Sequence, residues 1–403
     1  MSKGKRKAPV SIGEQIELQI DNLNHQGEGV GRYNGFTIFV PDTAPEDQVI
    51  ARVISLQKNY ARALLVNILK SSPFRVKPLC QHYGACGGCQ LQHLDYQQEL
   101  RCKQNYVEDA LKRIARLEIP VQPIIGMANP WQYRNKAQVP VGVEAGIVQA
   151  GFYEKRSHKI VNLAGCPIQH PANDETIKIV RQILQEMGFS IYNEGNHTGF
   201  VRQIMTRTSF ATGEVLLVLV TNGRNFPQAD AFVQRVRAKI KNLTGIVQNI
   251  NTKRGNTILG LEEVTLWGSP YIIEKIGSLQ FKVSSRSFFQ VNPLQTEKLY
   301  AKVKEYAALT GKETVFDLYC GIGTIALYLA DQAAKVVGVE IVDAAVEDAY
   351  DNARLNKITN AEFYTGAAEV VVPKLLRQGY QADVVIVDPP RKGCDQALLE
   401  TIT

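Results

Sequence analysis

No stretch of this sequence is long and apolar enough to cross a bilayer. Its longest apolar run, "VLLVLV" (Val215–Val220), is far shorter than the roughly twenty residues that a spanning helix takes. The basic start "MSKGKRKAPV" is followed by no apolar signal core, so export is not indicated and a cytoplasmic protein without a membrane partner is expected. Cysteine is scarce, with seven in 403 residues. In a reducing compartment such cysteines, where they cluster, are expected as metal ligands or reactive thiols rather than disulfides. Internal repeats and low-complexity tracts are also missing.

What is present is ample apolar material and an uneven charge. Apolar residues make up 45% of the chain, and the length predicts roughly two to four domains of ordinary size. The formal net charge of +7 conceals a division. Residues 1–280 carry 33 Lys and Arg against 23 Asp and Glu, whereas residues 281–403 carry 13 against 16. A basic front on a mildly acidic rear predicts that the front meets a polyanion; a solvated surface slightly rich in lysine would account for the total alone.

Residues 12–69 read as short strands. "IELQI" alternates, and Asn34-Gly35 separates two β-rich runs in "GVGRYNGFTIFV", a type I′ hairpin signal. A small all-β barrel is expected, with Arg32, Arg52, Lys58 and Arg62 available to meet phosphate. "SSPFRVKP" (Ser71–Pro78) reads as a linker. Residues 95–117 are expected to be helical, with Leu100, Val107, Leu111 and Ile114 on one face. From about 120 to 280, runs such as "KAQVPVGV" and "EVLLVLVT" surround two helical stretches, 173–187 and 228–241, and predict an α+β middle domain. From 294 helix and strand alternate, which predicts a parallel doubly wound α/β sheet. The expected multidomain division is 1–70, 71–280 and 281–403.

Chemistry concentrates in the last of these. In "FDLYCGIGT" (Phe316–Thr324), Asp317 ends a strand and Gly321 and Gly323 form the turn that opens a helix. Glycines there let the backbone approach a ligand. The next strand ends at Glu340, placed to accept from ribose hydroxyls, and the fourth ends in "VDPPRKG" with Asp388. Three polar strand tips in register predict a nucleoside-type cofactor site. The turn lacks the GxxxxGK[ST] arrangement of a phosphate loop. A cationic sulfonium between acidic tips fits better, which favours S-adenosylmethionine over NAD.

A second concentration is "LCQHYGACGGCQLQHL" (Leu79–Leu94), where Cys80, Cys86 and Cys89 follow a C-x5-C-x2-C spacing. Spacing alone admits an iron–sulfur cluster or tetrahedral zinc. His82 and His93 flank the group and are expected as surface residues of a loop.

"SSRSFFQVNP" (Ser284–Pro293), "DLYCGIGT", "GVEI" and "DPPRKG", in this order and spacing, resemble the RNA uracil-5-methyltransferase family, most of all its bacterial 23S ribosomal RNA branch. Residues 12–69 resemble that branch's TRAM barrel, an OB-like RNA-binding module. The resemblance implies a Rossmann-like methyltransferase domain and S-adenosylmethionine bound by Gln290, Tyr319, Glu340 and Asp388. Thr324 stands where some members have Asn and is left out. It also implies a 4Fe–4S cluster on Cys80, Cys86, Cys89 and Cys166 of "AGCPIQ", in a structural or RNA-positioning role. The implied partner is 23S rRNA and the implied state a monomer, with two alternatives: a transfer-RNA uridine-5 methyltransferase, or a non-catalytic RNA-binding protein with a vestigial pocket.

The family's reaction needs a cysteine thiolate to add at carbon 6 of uracil and a carboxylate to remove the carbon 5 proton. Both residues are expected beyond "DPPRKG" and beyond Thr403. No catalytic residue is therefore assigned, and a truncated, incomplete and inactive chain with an unpaired fourth strand is expected. Cys102, Cys320 and Cys394 are not expected to substitute.

Overall fold

The computed structural model describes residues 8–403; the basic cluster Lys3, Lys5, Arg6 and Lys7 lies outside the described residues. The chain forms two compact units. One comprises the residues up to Pro130 together with Phe152–Leu163, and the other Trp131–Gly151 together with Ala164–Thr403.

The first unit is built on five strands, β1 (Gln15–Leu23), β2 (Gly29–Tyr33), β3 (Phe36–Val40), β4 (Gln48–Leu56) and β5 (Tyr60–Lys70), closed into a barrel in the order β1-β2-β3-β5-β4. Alternation decides which face is inside: Ile16, Leu18 and Ile20 are buried while Gln15, Glu17 and Gln19 are exposed. Asn34 and Gly35 take φ of 48° and 78°, the two left-handed residues that a type I′ hairpin requires. Arg32, Arg52 and Lys58 are exposed. Arg62 is not available as expected, because its guanidinium is paired with Glu28 at 3.0 Å.

Three other expectations for this unit are corrected. Ser71–Pro78 is not a loose linker. The fully buried Asp47 carboxylate accepts from the backbone N–H of Ser72 at 2.9 Å and is paired with the Arg75 guanidinium at 2.6 Å. Helix α1 (Tyr96–Asp109) gives way to a π-helical turn at Ala110–Ala115, and its buried face is not the expected one. Val107 and Ile114 are 44% and 82% exposed, while Gln98 and Cys102 are buried. His93 is buried rather than superficial. Its Nε2 lies 3.1 Å from the Thr43 carbonyl, and the Tyr83 hydroxyl lies 2.5 Å from Nδ1. The barrel thus holds the cysteine loop through an imidazole.

The second unit begins with a six-stranded sheet. Its strands are β6 (Lys136–Glu144), β7 (Ile147–Ala150), β8 (Val201–Thr208), β9 (Val215–Thr221), β10 (Leu243–Ile250) and β11 (Glu262–Gly268), in the order β11-β10-β9-β8-β6-β7. Helices α2 (Pro171–Glu186) and α3 (Ala229–Lys239) accompany them. A ribbon of β12 (Tyr271–Ile276) and β13 (Leu279–Ser284) follows, then α4 (Pro293–Ala307).

The remaining elements are β14 (Thr314–Leu318), α5 (Thr324–Leu329), β15 (Lys335–Glu340), α6 (Asp343–Leu355), β16 (Ala361–Thr365), α7 (Ala368–Arg377), β17 (Val384–Val387) and α8 (Gln396–Ile402). The four strands are all parallel, in the order β16-β15-β14-β17. Successive residues of β14 feed opposite layers. Val315 packs with the ribbon, α4, α5 and α6, and Phe316 packs with α7 and α8. Each such buried side chain stabilises the fold by about 1.5–3 kcal/mol. The first layer also takes in Met205, Leu216, Val218 and Val247 of the six-stranded sheet. One continuous core therefore fixes the parallel strand tips relative to that sheet.

Candidate cofactor site

The turn after β14 is made by backbone geometry. Tyr319, Gly321 and Gly323 all have positive φ, at 67°, 56° and 79°. For the tyrosine this is a strained value, of the kind found where a chain must bend around something. A Cβ on Gly323 would come within 3.0 Å of the Phe363 ring, and one on Gly338 would meet it at 2.4 Å. Both glycines are demanded by close packing. At Gly321 a Cβ would enter open space, so the ligand side of the turn is clear.

Glu340 ends β15 and ties the turn together: Gly321 and Val342 donate their N–H groups to its two oxygens, each at 3.0 Å. Asp317 is buried behind it. One of its oxygens accepts from the Ala326 N–H at 2.9 Å, capping α5, and the other has no partner among the described residues. Burial, with the neighbouring charges of Asp388 and Glu340, pushes its carboxyl up to about 7.

Glu340 and Gly321 line a cavity of about 310 Å³ whose opposite wall includes Ser284, Ser287 and Phe288, with Asp348 beside them. The wall is braced from below. Ser287 donates to Asp348 at 2.9 Å, and burial holds the Asp348 carboxyl above its usual range. The fully buried Arg207 donates through Nη2 to the carbonyls of Ser287 and Ser285 at 2.5 and 3.4 Å. Phe288 is 69% exposed.

Of the four expected cofactor residues, Glu340 lines this cavity, while Gln290, Tyr319 and Asp388 are not among its lining residues. The backbone carbonyl of Gln290 is held by the Asn135 side-chain amide at 3.1 Å. The Tyr319 ring packs on the other side of the sheet, toward Cys394 and the layer of α7 and α8. Asp388 is exposed, close enough for its charge to act on Asp317. Ser287, Asp348 and Arg207 were not anticipated. The run "SSRS" before "FFQ" is the signal that could have pointed to the serine, whereas Asp348 and Arg207 reach the site only through the tertiary fold. Thr324 is bonded to the buried Tyr300 hydroxyl at 2.7 Å.

The chain is similar to known proteins over nearly its whole length. The family model described as tRNA (Uracil-5-)-methyltransferase matches residues 272–403, and the TRAM domain model matches 9–66. An uncharacterized RNA methyltransferase of Halalkalibacterium halodurans is 47% identical over 99% of this chain and 87% of its own. The chain belongs to the RNA uracil-5-methyltransferase family. A second relative of this RNA methyltransferase, from Listeria monocytogenes, is 48% identical over 96% of the chain and 86% of its own. Among solved structures, the Pyrococcus abyssi tRNA (uracil-54, C5)-methyltransferase in complex with S-adenosyl-L-homocysteine superposes with a TM-score of 0.73. It is 28% identical and covers 96% of this chain and 86% of that one. The enzyme class is therefore an S-adenosylmethionine-dependent RNA uracil-5-methyltransferase, with an N-terminal TRAM barrel. No helix among the described residues is long and apolar enough to cross a membrane.

The cofactor fits the residues present. The cavity offers a clear glycine turn, a carboxylate for hydroxyl groups and, behind it, a buried carboxyl oxygen without a partner. The metal expectation fares differently. Among the described residues, no three His, Cys, Asp or Glu side chains are gathered as a metal cage. Cys86 is buried, with its sulfur accepting from the Gly88 N–H at 3.4 Å, and burial pushes its thiol up. Cys320 is buried with a thiol held well above its usual range by burial, and burial pushes Cys102 up to about 11. Neither is poised as a thiolate.

Proposed function

We propose that this chain binds S-adenosylmethionine in the cavity under Glu340 and directs methylation of carbon 5 of a uridine in 23S ribosomal RNA. The observation that carries the reading is the Glu340 network, in which two backbone N–H bonds hold a carboxylate at a strand tip beside an open glycine turn. When bound, the cofactor supplies an electrophilic methyl group on a sulfonium. The chain's residues orient it. Glu340 retains acceptor capacity for ribose hydroxyls. The family's motifs assign Gln290, Tyr319 and Asp388 to the contact set, although the Tyr319 ring packs toward α7 and α8 in the bare chain, and Asp388 adds negative charge at the edge where the sulfonium would lie. The loop Ser284–Phe288 closes the opposite side and presents an exposed aromatic ring toward an unstacked base. The thiolate and base roles are assigned to no residue among 1–403.

In this reading residues 1–70 form the RNA-binding barrel, 71–280 the cysteine segment and middle domain, and 281–403 the methyltransferase domain. The protein works as a cytoplasmic monomer. The iron–sulfur assignment to Cys80, Cys86, Cys89 and Cys166 rests on the family's cysteine pattern alone, and no step above runs through it. Iron and sulfide analysis of anaerobically purified protein tests it; roughly four of each per chain is the expected outcome.

A second reading, transfer RNA as substrate, is favoured by one observation: the structural neighbour named above is a tRNA methyltransferase. Competition binding in the presence of S-adenosylhomocysteine separates the two. The 23S reading expects rRNA fragments to displace a labelled probe at lower concentration than tRNA transcripts, and the reverse order would replace it.

A further inference from the structure

At the start of β6, Lys136 stands directly opposite Arg207 of β8 in the antiparallel register. The lysine is half-buried. Its electrostatic neighbours are the guanidinium groups of Arg207 and Arg134; burial and these two charges push the ammonium down to about 8. Arg207 spends its Nη2 on the neutral carbonyls of Ser285 and Ser287, and its buried Nε has no partner among the described residues. The one carboxylate that acts on Arg207, Glu263, is already bonded to the Ser285 hydroxyl at 2.5 Å and the Asn249 amide at 2.9 Å. Three cations thus share a partly desolvated place with too little negative charge, an arrangement that is unfavourable until an anion joins it.

The place is tied to the reacting edge. Asn135, next to Lys136, holds the backbone of Gln290 and Val291 at 3.1 and 2.9 Å, and Arg207 holds the loop that carries Phe288. We propose that Lys136, backed by Arg207, seats a phosphodiester of the RNA strand next to the uridine being methylated. This rests on the RNA-methylating reading above. The other oxyanion at hand, the cofactor's carboxylate, is disfavoured because neither Lys136 nor Arg207 lines the cavity that holds Glu340.

The test compares the wild-type chain with Lys136→Gln and Lys136→Arg. Affinity for a fluorescein-labelled oligouridylate is measured by anisotropy across a salt series, S-adenosylhomocysteine affinity by calorimetry, and folding by thermal melts. Lys136→Gln should bind the RNA about tenfold more weakly, with the log–log salt slope reduced by about 0.7. Lys136→Arg should restore both, cofactor affinity should stay unchanged, and the melting temperature of Lys136→Gln should not fall. A Lys136→Gln variant with wild-type affinity and slope would overturn the proposal. So would a loss confined to the cofactor, which would assign the site to the carboxylate. Failure of the wild-type chain to bind RNA at all would instead strike the functional reading first, and this inference with it.

Discussion

The strand-tip edge of the parallel sheet and the cysteine loop of the first unit both announce themselves by short motifs, and the structure treats them differently. At the sheet edge the motif is mostly backbone: glycines that turn, a carboxylate that caps a helix, another that collects N–H groups. Such a motif closes on itself. The cysteine motif is a set of side chains, and its ordered contacts run elsewhere, from His93 and Arg75 to the barrel, while no metal cage is gathered among the described residues. A site defined by main-chain geometry is complete in the bare chain, whereas a ligand set is defined by what it holds.

If the cysteine segment owes its order to the barrel, cutting the barrel's anchor should have the largest effect. Asp47→Asn leaves Arg75 as an uncompensated cation in a partly buried setting. It should destabilise the first unit by roughly 3 kcal/mol, read by denaturant unfolding with hydrogen exchange on residues 71–94. Retained protection there would mean that the loop holds itself.

The sheet edge makes an opposite demand on pH. Burial first, then Asp388 and Glu340, raise the Asp317 carboxyl to about 7. The folded state therefore keeps a proton that the unfolded chain releases near pH 4, and stability should fall as pH rises from about 4 through 7. Asp317→Asn should flatten that fall by a couple of kcal/mol at most. Melting curves across the range check it, and a variant that keeps the wild-type slope would separate Asp317 from the effect.

A smaller effect of the other sign belongs to His93, whose pKa burial depresses. The folded state disfavours the protonated ring, so this contribution is whole above the unfolded value of about 6.5 and declines as pH falls below it. Near pH 5 the first unit should lose about 1 kcal/mol, and His93→Gln should remove most of that dependence. Unfolding monitored at the barrel at pH 7.5 and 5 decides it.

Legibility followed the same division. The barrel strands, the Asn34-Gly35 hairpin and the alternating helices and strands from 294 onward were readable because period and turn chemistry are local properties. The α1 face was not, since the polar Gln98 and the thiol of Cys102 are what the fold buries there, while Val107 of the apolar stripe is left exposed. His93 and Arg75 were misjudged because their partners, Thr43 and Asp47, lie far upstream in the chain. At the sheet edge the place of Glu340 at the end of β15 was legible. Arg207 and Asp348 were not, because only the packing of separate elements brings them beneath the Ser284–Phe288 loop.

Isothermal titration with S-adenosylhomocysteine, run on the wild-type chain and on Glu340→Gln, tests the central claim most directly. Saturable one-to-one binding by the wild type, weakened about tenfold or more in the variant through loss of a charged acceptor, is the predicted result. Absence of binding by a folded wild-type chain, or equal affinity in both proteins, would contradict a cofactor seat built on the tip of β15.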